Sequence, residues 1–179
     1  MRGAGRLTFR RRIGAGVMLA AAGAVVGCTP DRSADELPAA AEVLALLKQG
    51  GGSAVAVTAP DAGDPRLRPR TFPAKASQVA RTIEETVTPL PRWQVIAGRS
   101  GVIWLTHRTR LGFVDDVYLL LVPTGDSTVV FARSASRVGD FDFGQNRRNL
   151  GELWAALDER AEPQPPARPL SPVLDSSRP

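Results

Sequence analysis

The sequence predicts an α+β fold, a small single domain in which helices pack on an antiparallel sheet of about four strands. Three observations carry this reading. Apolar residues recur at Ala76, Val79, Ala80, Ile83 and Val87, the i, i+3, i+4, i+7, i+11 stripe of an amphipathic helix. Two stretches rich in Val, Ile and Leu follow, each interrupted by a Gly-bearing turn. A second helical stripe, Leu150, Leu153, Trp154 and Leu157, closes the series. Helices and hairpins in this arrangement build one layer of helices against one sheet.

Taken in order, Leu37 to Gln49 holds Val43, Leu44, Leu46 and Leu47 and ends at Gly50-Gly51-Gly52, a helix with a C-terminal break. Thr58 to Pro73 is rich in Pro, Asp and Arg and reads as a solvated loop. Its Arg66-x-Arg68-x-Arg70 triplet is either part of that solvated surface or a contact for a headgroup or other anion. The helix from Lys75 to Val87 is stopped by Pro89 and Pro91. Trp93 to His107 reads as a hairpin turning at Gly98-Arg99-Ser100-Gly101, and Val117 to Ser134 as a second one turning within Pro123 to Ser127. The domain is therefore placed at residues 37–160. Residues 161–179, with six prolines and no periodicity, read as a disordered tail. No internal repeat is visible.

The first 28 residues read as a leader. Basic residues end at Arg12, and an apolar run from Ile13 to Val26 follows. Fourteen helical residues rise about 21 Å, short of the ~30 Å hydrocarbon core, so the run fits a signal peptide better than a spanning helix. Residues 1–27 are assigned to that signal peptide and 28–36 to a tether. The leader also explains the charge. The chain carries 23 Lys+Arg against 18 Asp+Glu, a net charge of +5. Arg2, Arg6, Arg10, Arg11 and Arg12 account for that whole excess, so the remainder is formally neutral and no nucleic-acid partner is expected. One Cys and one His exclude a disulfide framework and a Cys/His zinc site, and no metal or other cofactor is expected.

Val25-Val26-Gly27-Cys28 resembles a bacterial lipobox, in which small residues precede a Cys that is diacylglycerol-modified and becomes the new N-terminus. The resemblance implies a membrane partner through an N-terminal lipid at Cys28 and an extracytoplasmic, periplasmic-side location in the cell envelope. Thr29, where an Asp would signal inner-membrane retention, favours the outer membrane in a host that has one. Arg10-Arg11-Arg12 leaves Sec and twin-arginine export both open, although Ile13-Gly14 does not continue the twin-arginine pattern.

Three polar clusters lie between residues 112 and 148. On a strand, Arg133, Ala135 and Arg137 share one face. A hairpin turning near Gly125-Asp126 sets Ala135 opposite Asp115 or Asp116. In either register one carboxylate lies between Arg133 and Arg137, where an Arg fork can hold it, and the other lies with Ser134 and Ser136. Asp142 followed by Gln145 reads as a helix N-cap with its capping partner. Arg147 falls on the stripe of Leu150, Trp154 and Leu157 and is expected to point toward the sheet. Two cations in a first helical turn, Arg147 and Arg148, oppose the macrodipole and call for nearby carboxylates or a bound anion.

Phe113-Val-Asp-Asp116, Arg133-Ser-x-Ser-Arg-Val-Gly139 and Asp142-x-Gly-x-Asn-Arg147 resemble the bacterial and plastid domain-of-unknown-function family numbered 1499. That resemblance implies no established activity. The family's N-terminal Pro-Asn-x-Val-Ser-Ser-like segment corresponds here to Gly52 to Val57, which lacks its Cys and paired serines.

The residues Asp115, Asp116, Arg133, Ser136, Arg137, Asp142, Asn146 and Arg147 thus form either a structural network tying hairpin to helix or a site in which the Arg133, Arg137 and Arg147 cluster holds an anionic small molecule or lipid headgroup. A partner protein of the envelope is expected in the first case. A hydrolase-like enzyme is the third reading. Adjacent strand carboxylates point to opposite faces, Ser134 and Ser136 lack nucleophile-elbow glycines, and no phosphate loop or dinucleotide fingerprint is present. His107, alternating with Leu105 and Thr109, reads as a partly exposed strand residue. Trp93, Trp104 and Trp154 read as core.

Overall fold

The computed structural model describes residues 32–161. The leader, Cys28 and the tail from 162 lie outside the described residues. The helices are α1 (Ala40–Lys48), α2 (Ala76–Val87) and α3 (Gln145–Ala161). The strands are β1 (Val55–Val57), β2 (Arg70–Phe72), β3 (Trp93–Arg99), β4 (Val102–Arg108), β5 (Val114–Thr124) and β6 (Ser127–Ser136). They form one antiparallel sheet in the order β1-β6-β5-β4-β3, with β2 also paired to β6.

The α+β class holds, and the strand number is six rather than about four. β1 and β2 are three residues each, too short for period-two alternation to register, and exist because β6 offers its outer edge to both. The loop expected over Thr58 to Pro73 therefore contains a strand, together with a 3-10 turn at Pro65–Leu67. Within the span read as a tether, Ala34–Glu36 form a 3-10 turn capped by the Ser33 side chain.

Both hairpins turn where glycine allows. Ser100 and Gly101 have φ of 52° and 79°, the pair of positive values that a two-residue type I′ turn requires. Gly125, φ 62°, opens the turn between Thr124 and Ser127.

The sheet is covered on both faces. Val79, Ile83 and Val87 of α2 and Leu150, Leu153 and Leu157 of α3 meet Ile103, Leu105, Val117, Leu119 and Val130 on one side. Val43 of α1 and Leu37 meet Val102, Trp104, Tyr118 and Leu120 on the other. β5 is thus buried on both faces over Val114 to Leu121, which is why Val117 to Leu121 runs apolar without alternation.

The arginine triplet is absorbed by its own neighbourhood. Arg66 grips Asp64 through Nε at 3.1 Å and Nη2 at 2.9 Å, and this fork holds the Asp64 carboxyl below its usual range. Arg68 Nε donates to the Ala62 carbonyl at 2.7 Å. Arg70 lies over the Trp154 ring, 5.6 Å from its centroid, and 3.5 Å from Asp158. No helix among the described residues is long and apolar enough to cross a membrane.

Candidate functional site

Of the two hairpin registers, the structure takes the one that sets Ala135 opposite Asp116 and Ser136 opposite Asp115. The two carboxylates then diverge to opposite faces of β5.

On the α3 face Asp115 closes a ring of hydrogen bonds. Ser136 Oγ donates to Asp115 Oδ1 at 2.8 Å and accepts from Asn146 Nδ2 at 3.0 Å. Ser134 Oγ donates to Asn146 Oδ1 at 2.6 Å and accepts from Asn149 Nδ2 at 3.2 Å. Asn149 Nδ2 completes the circuit to Asp115 Oδ2 at 2.8 Å. Each hydroxyl donates once and accepts once, so the ring is satisfied in a place where an unmet donor would cost about 1–3 kcal/mol. Asp142 joins it from the start of α3, taking the Asn146 backbone N–H at 2.7 Å and its Nδ2 at 2.6 Å. Gln145 does not reach back as a capping partner; it bonds forward to Asn149 Oδ1 at 2.7 Å, because Asn149 itself needs a donor.

On the α1 face Arg137 forks onto Asp116, Nε to Oδ2 at 3.0 Å and Nη2 to Oδ1 at 2.8 Å, with both side chains about 8% exposed. Trp104 Nε1 adds a third donor at 2.8 Å, and Arg32 lies 3.7 Å away. Arg133 shares this face but not the fork. It pairs across the ladder with Tyr118, and its buried Nε meets no acceptor among the described residues. Burial pushes its guanidinium down and the Tyr118 hydroxyl up.

Arg147 does not point to the sheet. It is exposed and 3.6 Å from Asp64, because the buried stripe of α3 is centred on Asn146, Leu150, Leu153 and Leu157 and leaves residue 147 at its margin. Arg133, Arg137 and Arg147 therefore do not converge. Gly52 to Val57 enters the site through backbone as well as side chain. Ser53 Oγ bonds the Asp140 carbonyl, the Ser53 carbonyl accepts from Asp142 N at 3.0 Å, and the Ala54 carbonyl accepts from Asn146 Nδ2 at 2.9 Å.

The elements carrying these contacts, from the first 3-10 turn to the last turns of α3, coincide with a match. The family model described as "Protein of unknown function (DUF1499)" covers residues 33–157. The chain belongs to the DUF1499 family. No curated protein and no solved structure matches it.

Two features of this DUF1499 domain were not legible in the residues singled out. Asn149, in the middle of an apolar helical stripe, is as central to the ring as Asn146; a polar residue at a core position was the available signal. His107, read as partly exposed, is fully buried against Trp93, their rings 5.0 Å apart. Among the described residues neither imidazole nitrogen has a hydrogen-bond partner, and Glu152 Oε2 stands 4.0 Å from Nε2 while Oε1 accepts from Trp93 Nε1 at 2.9 Å. Desolvation pushes the His107 pKa down, with Glu152 opposing. Above the ring opens a cleft of about 830 Å³ with Asp115, Ser136, Gln145 and Glu152 among its lining. Leu111, Phe113, Val138, Phe141 and Phe143 line it as well, all of them exposed. Among the described residues no group of three or more His, Cys, Asp or Glu is arranged to hold a metal ion.

Proposed function

We propose that this DUF1499 protein is a lipid-anchored cell-envelope protein whose domain works as a non-catalytic interaction module. The observation that carries the second half is the closed ring of Asp115, Ser136, Asn146, Ser134 and Asn149. Both serines donate to acceptors inside the ring, and both Asp115 oxygens accept from it, so these groups hold the hairpin to α3. Asp116 is likewise occupied by Arg137 and Trp104. The anchor rests on Val25 to Cys28 and the single Cys of the chain.

The anchor is tested by fatty-acid labelling in cells. Wild type is expected to incorporate label, and Cys28→Ser to accumulate as unlabelled precursor; normal labelling of that variant overturns the anchor. The module is tested by Ser136→Ala, which strands Asp115 Oδ1 and is expected to cost about 1–3 kcal/mol. An unchanged melting temperature overturns the structural role of the ring.

A further inference from the structure

We propose that the end of the sheet bearing the 109–113 and 137–144 loops is a membrane-facing surface that docks on anionic lipid headgroups. Seven large hydrophobic residues are exposed among the described residues, and five of them gather on these two loops. Leu111 is 85% and Phe143 81% exposed. Phe141 and Phe143 stand edge to face with centroids 4.9 Å apart. Clustered exposed apolar residues mark a contact surface, and aromatic rings at a basic rim are the composition of an interfacial membrane contact.

The rim supplies that charge. Arg92, Arg110 and Arg148 line the same cleft together with Asp115, Asp142 and Glu152, of which Asp115 and Asp142 are turned into the α3 network, and Arg108 lines a smaller cavity beside it. Both loops are tied, so the apolar tips are presented without a folding cost on contact. Phe113 N–H donates to Thr109 Oγ1 at 3.0 Å, and Arg148 Nη1 donates to the Phe143 carbonyl at 3.0 Å. Phe143 holds φ at 52°, a left-handed conformation that favours glycine.

The chain enters at this end too. Arg32 lines the smaller cavity together with Arg92, Arg108 and Arg137. Cys28 is four residues earlier, within about 14 Å of extended chain. This part rests on the anchored reading above. A lipid at Cys28 would hold the apolar end against the bilayer, and chain plus basic patch is a two-signal attachment.

The test uses unlipidated polypeptide spanning 29–179, which keeps every described element, and flotation with vesicles of phosphatidylcholine mixed with phosphatidylglycerol. The wild-type polypeptide is expected to float with the vesicles. Phe141→Ser combined with Phe143→Gly is expected to lower partitioning at least about tenfold, without unfolding, since glycine relieves the left-handed strain. Arg92→Glu combined with Arg110→Glu is expected to lower it about tenfold on these vesicles and little on pure phosphatidylcholine. Leu44→Ser and Val122→Ser, exposed elsewhere, leave it unchanged. Absence of flotation, or flotation undiminished in the folded Phe variant, overturns the proposal. A soluble dimer abolished by the same Phe substitutions, with no vesicle binding, overturns it and gives the surface to a second copy. Labelling at Cys28 separates the two readings: flotation without cellular labelling sinks the anchor alone, and labelling without flotation sinks the surface alone.

Discussion

Asp115 and Asp116 are consecutive on one strand, yet the first is held by neutral donors and the second by a cation. Alternation along β5 sends them to opposite faces, so two buried carboxylates are kept apart by the sheet itself. The neutral set joins β5, β6 and α3 through short side chains at defined distances. The charged set joins β5 to the loop after β6 through one long fork. Neutral ring and charged fork differ most in what removal of one member leaves behind. Loss of a ring donor leaves the Asp115 carboxylate with its remaining neutral donors, whereas loss of the fork leaves the buried Asp116, among the described residues, with no countercharge nearer than Arg32 at 3.7 Å.

That difference is open to direct attack. Arg137→Ala is expected to have the largest effect, about 3–5 kcal/mol, because Asp116 remains buried with the Trp104 N–H and the half-exposed Arg32, 3.7 Å away, in place of the fork. A double-mutant cycle with Asp116→Ala, read by urea unfolding, should show strong coupling; additive losses would erase the distinction between fork and ring. Asn149→Ala is expected to cost less, about 1–3 kcal/mol, by stranding Asp115 Oδ2 and Gln145 Nε2.

The next effect is pH-dependent. His107 is buried neutral, its folded pKa held below the unfolded value of about 6.5. The unfolded chain therefore binds the proton first as pH falls below about 6.5, and stability declines from there toward the lower folded pKa. Glu152 and Asp115 oppose this and Arg92 adds to it. His107→Leu should flatten the decline between pH 7.5 and 5, read as melting temperature against pH. The smallest effect is expected for Arg70→Ala, about 0.5–1 kcal/mol from the contact with Trp154.

Much of this was readable before any coordinates. The α2 stripe, both hairpins and the parting of one carboxylate to the arginine face and the other to the serine face followed from periods of 3.6 and 2; which carboxylate went where depended on the hairpin register, which the periods left open. What escaped depended on partners distant in sequence. β1 and β2 have no pattern of their own and are strands because β6 pairs them. Arg147 lay within one position of the true stripe, where a helical wheel cannot separate margin from centre and the Asp64 carboxylate decides. His107 looked like a partly exposed strand residue, but Trp93 and Glu152 close over it. Arg133 shared the right face, yet it stands opposite Tyr118 on the ladder while Arg137 takes the carboxylate.

The outer border of β6 is the feature with the widest consequence. It is covered by two three-residue segments separated by a proline-bearing loop. A sheet edge presenting a long unpaired ladder recruits strands from other molecules. Here the last ladder on that side is broken into two short pieces, so a neighbouring copy finds no run beyond three residues to extend. Crowding of copies then does not translate into sheet-to-sheet polymerisation from this side.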